Sequence, residues 1–235
     1  PTNAAVQSIA MARRAGVDLT LDHLDAIGRE VPVRANLFPS GDRLMEDFHY
    51  AGGLPALMSR IRAHLFLDQR NVNGQTLEHN LEGVEVLDDA VIRPLSNPVS
   101  ANGALAVLRG NLAPEGAVMK ASAASPKFFK HRGRAIVFDN PAAMNSACAD
   151  INLDCDENSV LVLRNAGPVG APGMPEWGGL PIPKKLLDQG VRDMVRVSDA
   201  RMSGTHYGSC ILHVSPEAAI GGPLALVQTG DWIEV

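Results

Sequence analysis

Two glycine-bearing loops in the second half of the chain carry the residue types most able to do chemistry. The later one is Val197-Ser198-Asp199-Ala200-Arg201-Met202-Ser203-Gly204-Thr205, followed by His206. Ser203 sits after an apolar, strand-like run, and Gly204 beside it lets backbone N–H groups approach an anion closely. A free serine hydroxyl is a poor base and needs a nearby cation or general base to activate it. On its own, Ser203-Gly204 reads first as a turn dipeptide whose hydroxyl serves its own backbone. The earlier loop is Gly170-Ala171-Pro172-Gly173-Met174-Pro175-Glu176-Trp177-Gly178. Glu176 is held there between Pro175, Trp177 and glycines. A carboxylate in so stiff a loop suits a hard cation such as Mg²⁺, which takes oxygen ligands. Taken alone, it reads first as a solvated glutamate. Thr205 could hydrogen-bond a substrate carboxylate or hydroxyl. His206 could act as a base, although a lone loop histidine is more often solvated or structural. Asp199 and Arg201 are expected to pair or to brace the loop from behind. The stretch Leu44-Met45-Glu46-Asp47-Phe48-His49-Tyr50 reads equally as a cleft-facing segment and as a helix lead-in docked on the core.

The elements that must position these loops fall into two textures. Residues 3–15 are Ala-rich and stop at Gly16, the pattern of a helix with a glycine at C′. Thr20 can cap a second helix to about Ile27. Val31 to Leu37 reads as a short strand. Gly53 with Pro55 opens a helix through about Leu65, and Thr76 to Leu81 forms another. From about residue 90, short apolar strands alternate with turns. These are Ala104–Leu108, Ala117–Lys120, Arg134–Phe138, Ser159–Leu163, Met194–Val197, Cys210–Val214 and Leu224–Val227. Gly110-Asn111 marks a turn, and Gly230-Asp231 is expected to make a hairpin of the last strands. Pro141 to Ala149 reads as a helix capped by Asn140, and Pro183 to Leu187 as a shorter one. The fold class expected is α/β. Residues 1–90 would be the end of an N-terminal α/β domain, and residues 91–235 a β-rich barrel or sandwich with peripheral helices.

Composition narrows the partners. The 235 residues are 46% hydrophobic but only 4% aromatic, so aliphatic packing must build the core. A net charge of −5 argues against nucleic acid as a partner. No apolar run approaches the length that spans a bilayer, and no basic-then-apolar leader opens the chain. Three cysteines, an odd number, fit a reducing compartment such as the cytoplasm better than a disulfide scaffold. Cys148 and Cys155 lack Cys-x-x-Cys spacing, so all three are expected to be packed or free thiols. Pro1-Thr2-Asn3-Ala4-Ala5 begins directly at a helical pattern, which suggests a part of a longer protein.

In their order and separation, the two loops closely resemble the C-terminal half of the dihydroxy-acid and sugar-acid dehydratases, the family that includes 6-phosphogluconate dehydratase. The resemblance extends through Gly221-Gly222-Pro223-Leu224-Ala225-Leu226-Val227 and back to Leu44–Phe48 and Ala51-Gly52-Gly53-Leu54-Pro55. It implies a swivelling, barrel-like C-terminal domain. It also implies a hydro-lyase that turns a 2,3-dihydroxy acid into a 2-keto acid, in cytoplasmic dimers or tetramers. Ser203 would be the alkoxide that removes the C2 proton, Thr205 a substrate contact, and Glu176 a Mg²⁺ ligand. The other Mg²⁺ ligands, and the thiolates of a 2Fe-2S cluster including a Cys-Asp-Lys motif, would lie outside this chain, in a missing N-terminal half or a partner. Pro181-Ile182-Pro183-Lys184-Lys185 and Ser198-Asp199-Ala200-Arg201 look more like the aldonate dehydratases, which makes L-arabinonate, D-xylonate or a similar pentonate the expected substrate. The rival expectation is a folded, non-catalytic portion that acts only in assembly.

Overall fold

The computed structural model describes residues 2–173, 179–202 and 207–235, and divides into two compact units. One comprises Pro1–Asp25 with Leu105–Val235, the other Ala26–Ala104.

The larger unit is built on a seven-stranded sheet. Its strands are β1 (Ala106–Gly110), β2 (Ala113–Met119), β3 (Arg132–Phe138), β4 (Val160–Leu163), β5 (Arg196–Ser198), β6 (Cys210–Ser215) and β7 (Trp232–Glu234), in the spatial order β1-β2-β6-β5-β4-β3-β7. The four central strands, β6, β5, β4 and β3, run parallel. β1 and β2 continue the sheet antiparallel beyond β6, and β7 closes the other edge antiparallel to β3. The sheet curls into a half-barrel. Residues of both edge strands, Val107 and Ile233 among them, line one cavity of about 410 Å³ with Val197 and Ile211. Parallel strands are covered on both faces and therefore read as continuous apolar runs. Val160-Leu161-Val162-Leu163 does so, and all four residues are buried. Helix α6 (Pro141–Ala149) crosses from β3 to β4. Asn140 caps it, its side-chain oxygen accepting from the Ala143 N–H at 2.8 Å, with Pro141 in the first turn. Helix α7 (Lys184–Asp188) lies between β4 and β5 in the chain.

The same unit holds α1 (Thr2–Arg14), which ends as its sequence predicts. Gly16 has φ 72°, its N–H donates to Arg13 O, and the Val17 N–H donates to Ala12 O. This paired closure takes up carbonyls that the helix end would otherwise leave bare. α2 (Leu21–Glu30) follows, and the boundary between the units at Asp25/Ala26 falls within it.

The smaller unit contains α3 (Met45–Tyr50), α4 (Gly53–Arg60) and α5 (Leu77–Asn80) around a modest core of Ala51, Ala56, Val91 and Ile92. Thr76 caps α5 by accepting from the His79 N–H. Of the two readings of Leu44–Tyr50, the helical one holds for Met45–Tyr50, and Phe48 packs against that core. The strand expected over Val31–Leu37 makes only isolated bridges, Val33 to Ser100, Ala35 to Ile92 and Leu37 to Arg43.

The mixed α/β class holds, with the central strands parallel, α6 between β3 and β4 and α7 between β4 and β5. Two details of the β-rich reading do not hold. Leu224–Val227 is not a strand: Pro223–Leu226 is a 3₁₀ turn with Leu224 fully buried. Proline brings a fixed φ and no N–H, which suits the first turn of a helix and not a ladder. Gly230 does turn the chain, at φ 101°, yet it delivers β7 to the edge of β3 instead of closing a hairpin.

Candidate functional site

The two loops singled out from the sequence leave the carboxyl ends of adjacent parallel strands. β4 ends at Leu163 and leads through Arg164 and Asn165 into the Gly170 loop. β5 ends at Ser198 and leads into Asp199–Met202. Ligands in open parallel sheets bind outside the carboxyl ends of the strands. Glu176 and the segment Ser203–His206, with Thr205, lie outside the described residues. What the structure defines is how both loops are held at either end.

Asp199 holds the beginnings. Its side chain is 1% exposed, and its carboxylate accepts from Asn165 N at 3.2 Å, Ala166 N at 3.0 Å and Ala218 N at 2.9 Å. Asn165 sits at φ 61°, which turns the chain sharply out of β4. Glu217 adds the next tie, accepting from Val169 N at 2.9 Å and Gly170 N at 3.0 Å. Burial pushes the Asp199 carboxyl up from its ordinary range and the charge of Glu217 adds to this, while the three backbone N–H groups pull it back. Of the two expectations for Asp199, pairing with Arg201 or bracing the loop, the bracing one holds, through backbone donors. The brace reaches from the later loop to the earlier one and to the segment after β6.

Arg196 holds the far ends. It is 4% exposed, on the central strand β5. Its Nη1 donates to Leu180 O at 2.8 Å, just after the Glu176 loop, and its Nη2 to Tyr207 O at 3.2 Å, just after the Ser203 loop. Asp193, also buried, lies 3.4 Å from Nη2 and accepts from Ser209 N, Ser209 Oγ and Ser125 N at 2.7–2.9 Å. Gly208 is required at this point. Its φ of 115° excludes most side chains, and a Cβ would collide with Arg196 Nη2 and Asp193 Oδ1.

Neither Arg196, Asp193 nor Glu217 was picked out by sequence reasoning. A signal existed for Arg196, a charge set inside the apolar run Met194-Val195-Arg196-Val197, because such a residue must be buried with partners. The cysteines behave as expected of free thiols. Cys148 and Cys210 are buried, Cys155 is half-buried, and burial pushes the Cys148 thiol up to about 11. Among the described residues, no group of three His, Cys, Asp or Glu side chains could hold a metal ion. The described residues therefore give no cluster or Mg²⁺ cradle.

Two family profiles cover the chain. One, described as dihydroxy-acid/6-phosphogluconate dehydratase C-terminal, matches residues 90–235; its N-terminal counterpart matches residues 1–80. The chain belongs to the dihydroxy-acid/6-phosphogluconate dehydratase family. Among its curated relatives in that family, a 6-deoxy-6-sulfo-D-gluconate dehydratase of Pseudomonas putida is 58% identical over 237 residues. An L-arabonate dehydratase of Azospirillum brasilense is 53% identical over the same length, and a dihydroxy-acid dehydratase of Clostridium novyi 42%. Each alignment takes in 100% of this chain but only 41–42% of the relative, so the chain spans well under half the length of these dehydratases. Among the described residues, no helix is long and apolar enough to cross a membrane.

Proposed function

We propose that this chain is part of a hydro-lyase that converts a sugar acid bearing hydroxyls at C2 and C3 into a 2-keto-3-deoxy acid. One observation carries the reading: both loops leave neighbouring parallel strands at their carboxyl ends, and buried charges tie them to one another at each end. Ser203, as an alkoxide, removes the C2 proton, the C3 oxygen leaves as hydroxide and takes up the equivalent of that proton to become water, which returns Ser203 to the alkoxide, and the resulting enol tautomerises to the ketone. Thr205 hydrogen-bonds the substrate's carboxylate or hydroxyl, and Glu176 is a ligand of Mg²⁺. The chemistry expected of bound Mg²⁺ and of a 2Fe-2S cluster is Lewis-acid stabilisation of the enolate oxygens and of the departing hydroxide, with their remaining ligands outside this chain. By itself the 235-residue chain is inactive, because it contains no Cys-Asp-Lys run.

The substrate is an aldonate, a pentonate such as L-arabinonate or D-xylonate. The sugar-acid class is supported by the names of the Pseudomonas putida and Azospirillum brasilense relatives, 58% and 53% identical, against 42% for the dihydroxy-acid dehydratase; the first is named for a six-carbon acid, and the pentonate rests on the second. The protein divides at residues 90/91 into the end of an α/β domain and a swivelling β-rich C-terminal domain, and works as a cytoplasmic homodimer or homotetramer. The test is to incubate the complete protein with a panel of aldonates and assay for 2-keto product. Turnover of a pentonate is the expected result. Product only from a branched-chain dihydroxy acid would move the substrate assignment, and product from none would overturn the hydro-lyase reading.

Glu176→Gln removes a charged oxygen ligand but keeps the shape of the side chain. In the complete protein, the Mg²⁺ concentration giving half-maximal activity is expected to rise by about tenfold or more. An unchanged Mg²⁺ titration would remove Glu176 from the metal site.

A further inference from the structure

His213 stands where a strand would ordinarily place glycine. Strands β2 and β6 pair Val118 with Leu212 and Gly116 with Ser215, so β6 carries one extra residue between these pairs. His213 lies in that bulge with φ 56°, in the left-handed region. Bulges re-aim side chains beside active sites, and a non-glycine residue held at positive φ marks a position whose side chain is needed.

Its surroundings point the same way. The His213 N–H donates to Ala200 O at 3.2 Å, inside the segment that leads to Ser203. The ring lines a cavity of about 290 Å³ together with Asp199 and Glu217, the two carboxylates that tie the loops; the other walls, Val6, Ile9 and Ile220 among them, are mainly apolar. Both ring nitrogens are buried without a hydrogen-bond partner among the described residues, and so is Nε of Arg201, two positions before Ser203. Burial, with the nearby Arg201 charge, pushes the imidazole down to about 4, so it is neutral in the working range. A neutral imidazole has one acceptor nitrogen, and Arg201 Nε–H is one donor. Leaving both buried and unmet is costly.

Resting on the hydro-lyase reading above, we infer that His213 is a positioning residue: in the working enzyme its imidazole accepts the Arg201 Nε–H and so fixes the loop that carries Ser203. It is not the base, since a group with so low a pKa is a weak proton acceptor.

Three variants of the complete protein test this. His213→Gly relieves the left-handed backbone but removes a buried ring and loosens the unfolded chain, effects of opposite sign, so its Tm is expected to change little. Its kcat for the aldonate is expected to fall by about 10²-fold with KM within about threefold, since misplacement of a reacting group acts on kcat. Added imidazole should restore part of kcat, and His213→Asn, which tolerates positive φ and offers an oxygen acceptor, should lie between. Arg201→Lys, which lacks Nε–H, should lose kcat to a similar degree and not respond to imidazole. Unchanged kcat in His213→Gly overturns the inference. So does a loss of kcat that follows a fall in Tm and is not rescued. If the wild-type complete protein turns over no sugar acid, the functional reading fails instead. The inference is then decided by hydrogen exchange at Ala200–Met202, expected to quicken in His213→Gly, with unchanged exchange overturning it.

Discussion

Ser203→Ala in the complete protein is expected to lower kcat by about 10²–10⁴-fold, the span that removing a positioned general base produces. The substitution deletes one oxygen and adds no bulk. The described ties at the ends of the loop run from Asp199, Arg196 and Asp193 to backbone groups and to Ser209. Thermal stability should therefore change little, which separates this result from a folding defect. A second measurement sharpens it. With a substrate deuterated at C2, the wild type should show a primary isotope effect on kcat if proton removal limits turnover. Residual activity of Ser203→Ala should retain or increase that effect, because the proton then leaves to a poorer acceptor. Turnover within about threefold of wild type would take Ser203 out of the mechanism and leave His206 as the next group to test.

How much of this was legible in the sequence depends on whether the signal is local. The Schellman closure at Gly16, the Asn140 cap of α6 and the apolar run of β4 are decided by residues within a few positions of one another, and each stands where the sequence put it. Leu224–Val227 misled because an apolar run has no period of its own, and the proline just before it outweighed the apolar character. The parallel order of the central strands could not be read from any one strand, because buried strands look alike whichever way their neighbours run. The two loops were legible as glycine-rich chemistry-bearing segments, but the residues that join them were not. Glu217 is 48 positions from Val169, and Arg196 reaches Leu180 on one side and Tyr207 on the other. Pairings of that kind are fixed by the sheet, not by spacing. Arg196 was the exception that could have been suspected, since a guanidinium on a central strand has no route to water and must find carbonyls.

Asp193→Ala is expected to cost the complete protein about 3–5 kcal/mol, the range seen when one partner of a buried ion pair is removed and the other charge stays behind. Arg196 would remain 4% exposed with carbonyls for company but no counter-charge. The N–H groups of Ser125 and Ser209 would lose their acceptor as well. Urea unfolding followed by circular dichroism would report the loss as a lower midpoint at similar slope. The double variant Asp193→Ala/Arg196→Met discriminates between two reasons for keeping such a pair. If charge compensation alone mattered, the apolar pair would recover most of the stability, as buried ion pairs replaced by hydrophobic side chains often do. Here the recovery should be incomplete, because Leu180 O, Tyr207 O and two N–H groups stay unsatisfied whichever apolar residues fill the space. Full recovery, or a single-variant cost below about 1 kcal/mol, would mean that other contacts hold the ends of the two loops. The Arg196 clamp is also expected to matter more to turnover than to folding in the double variant. It joins the end of the Glu176 loop to the end of the Ser203 loop, and a displacement of about 1 Å between the proposed proton acceptor and the proposed metal ligand is enough to cost about 10²-fold in rate.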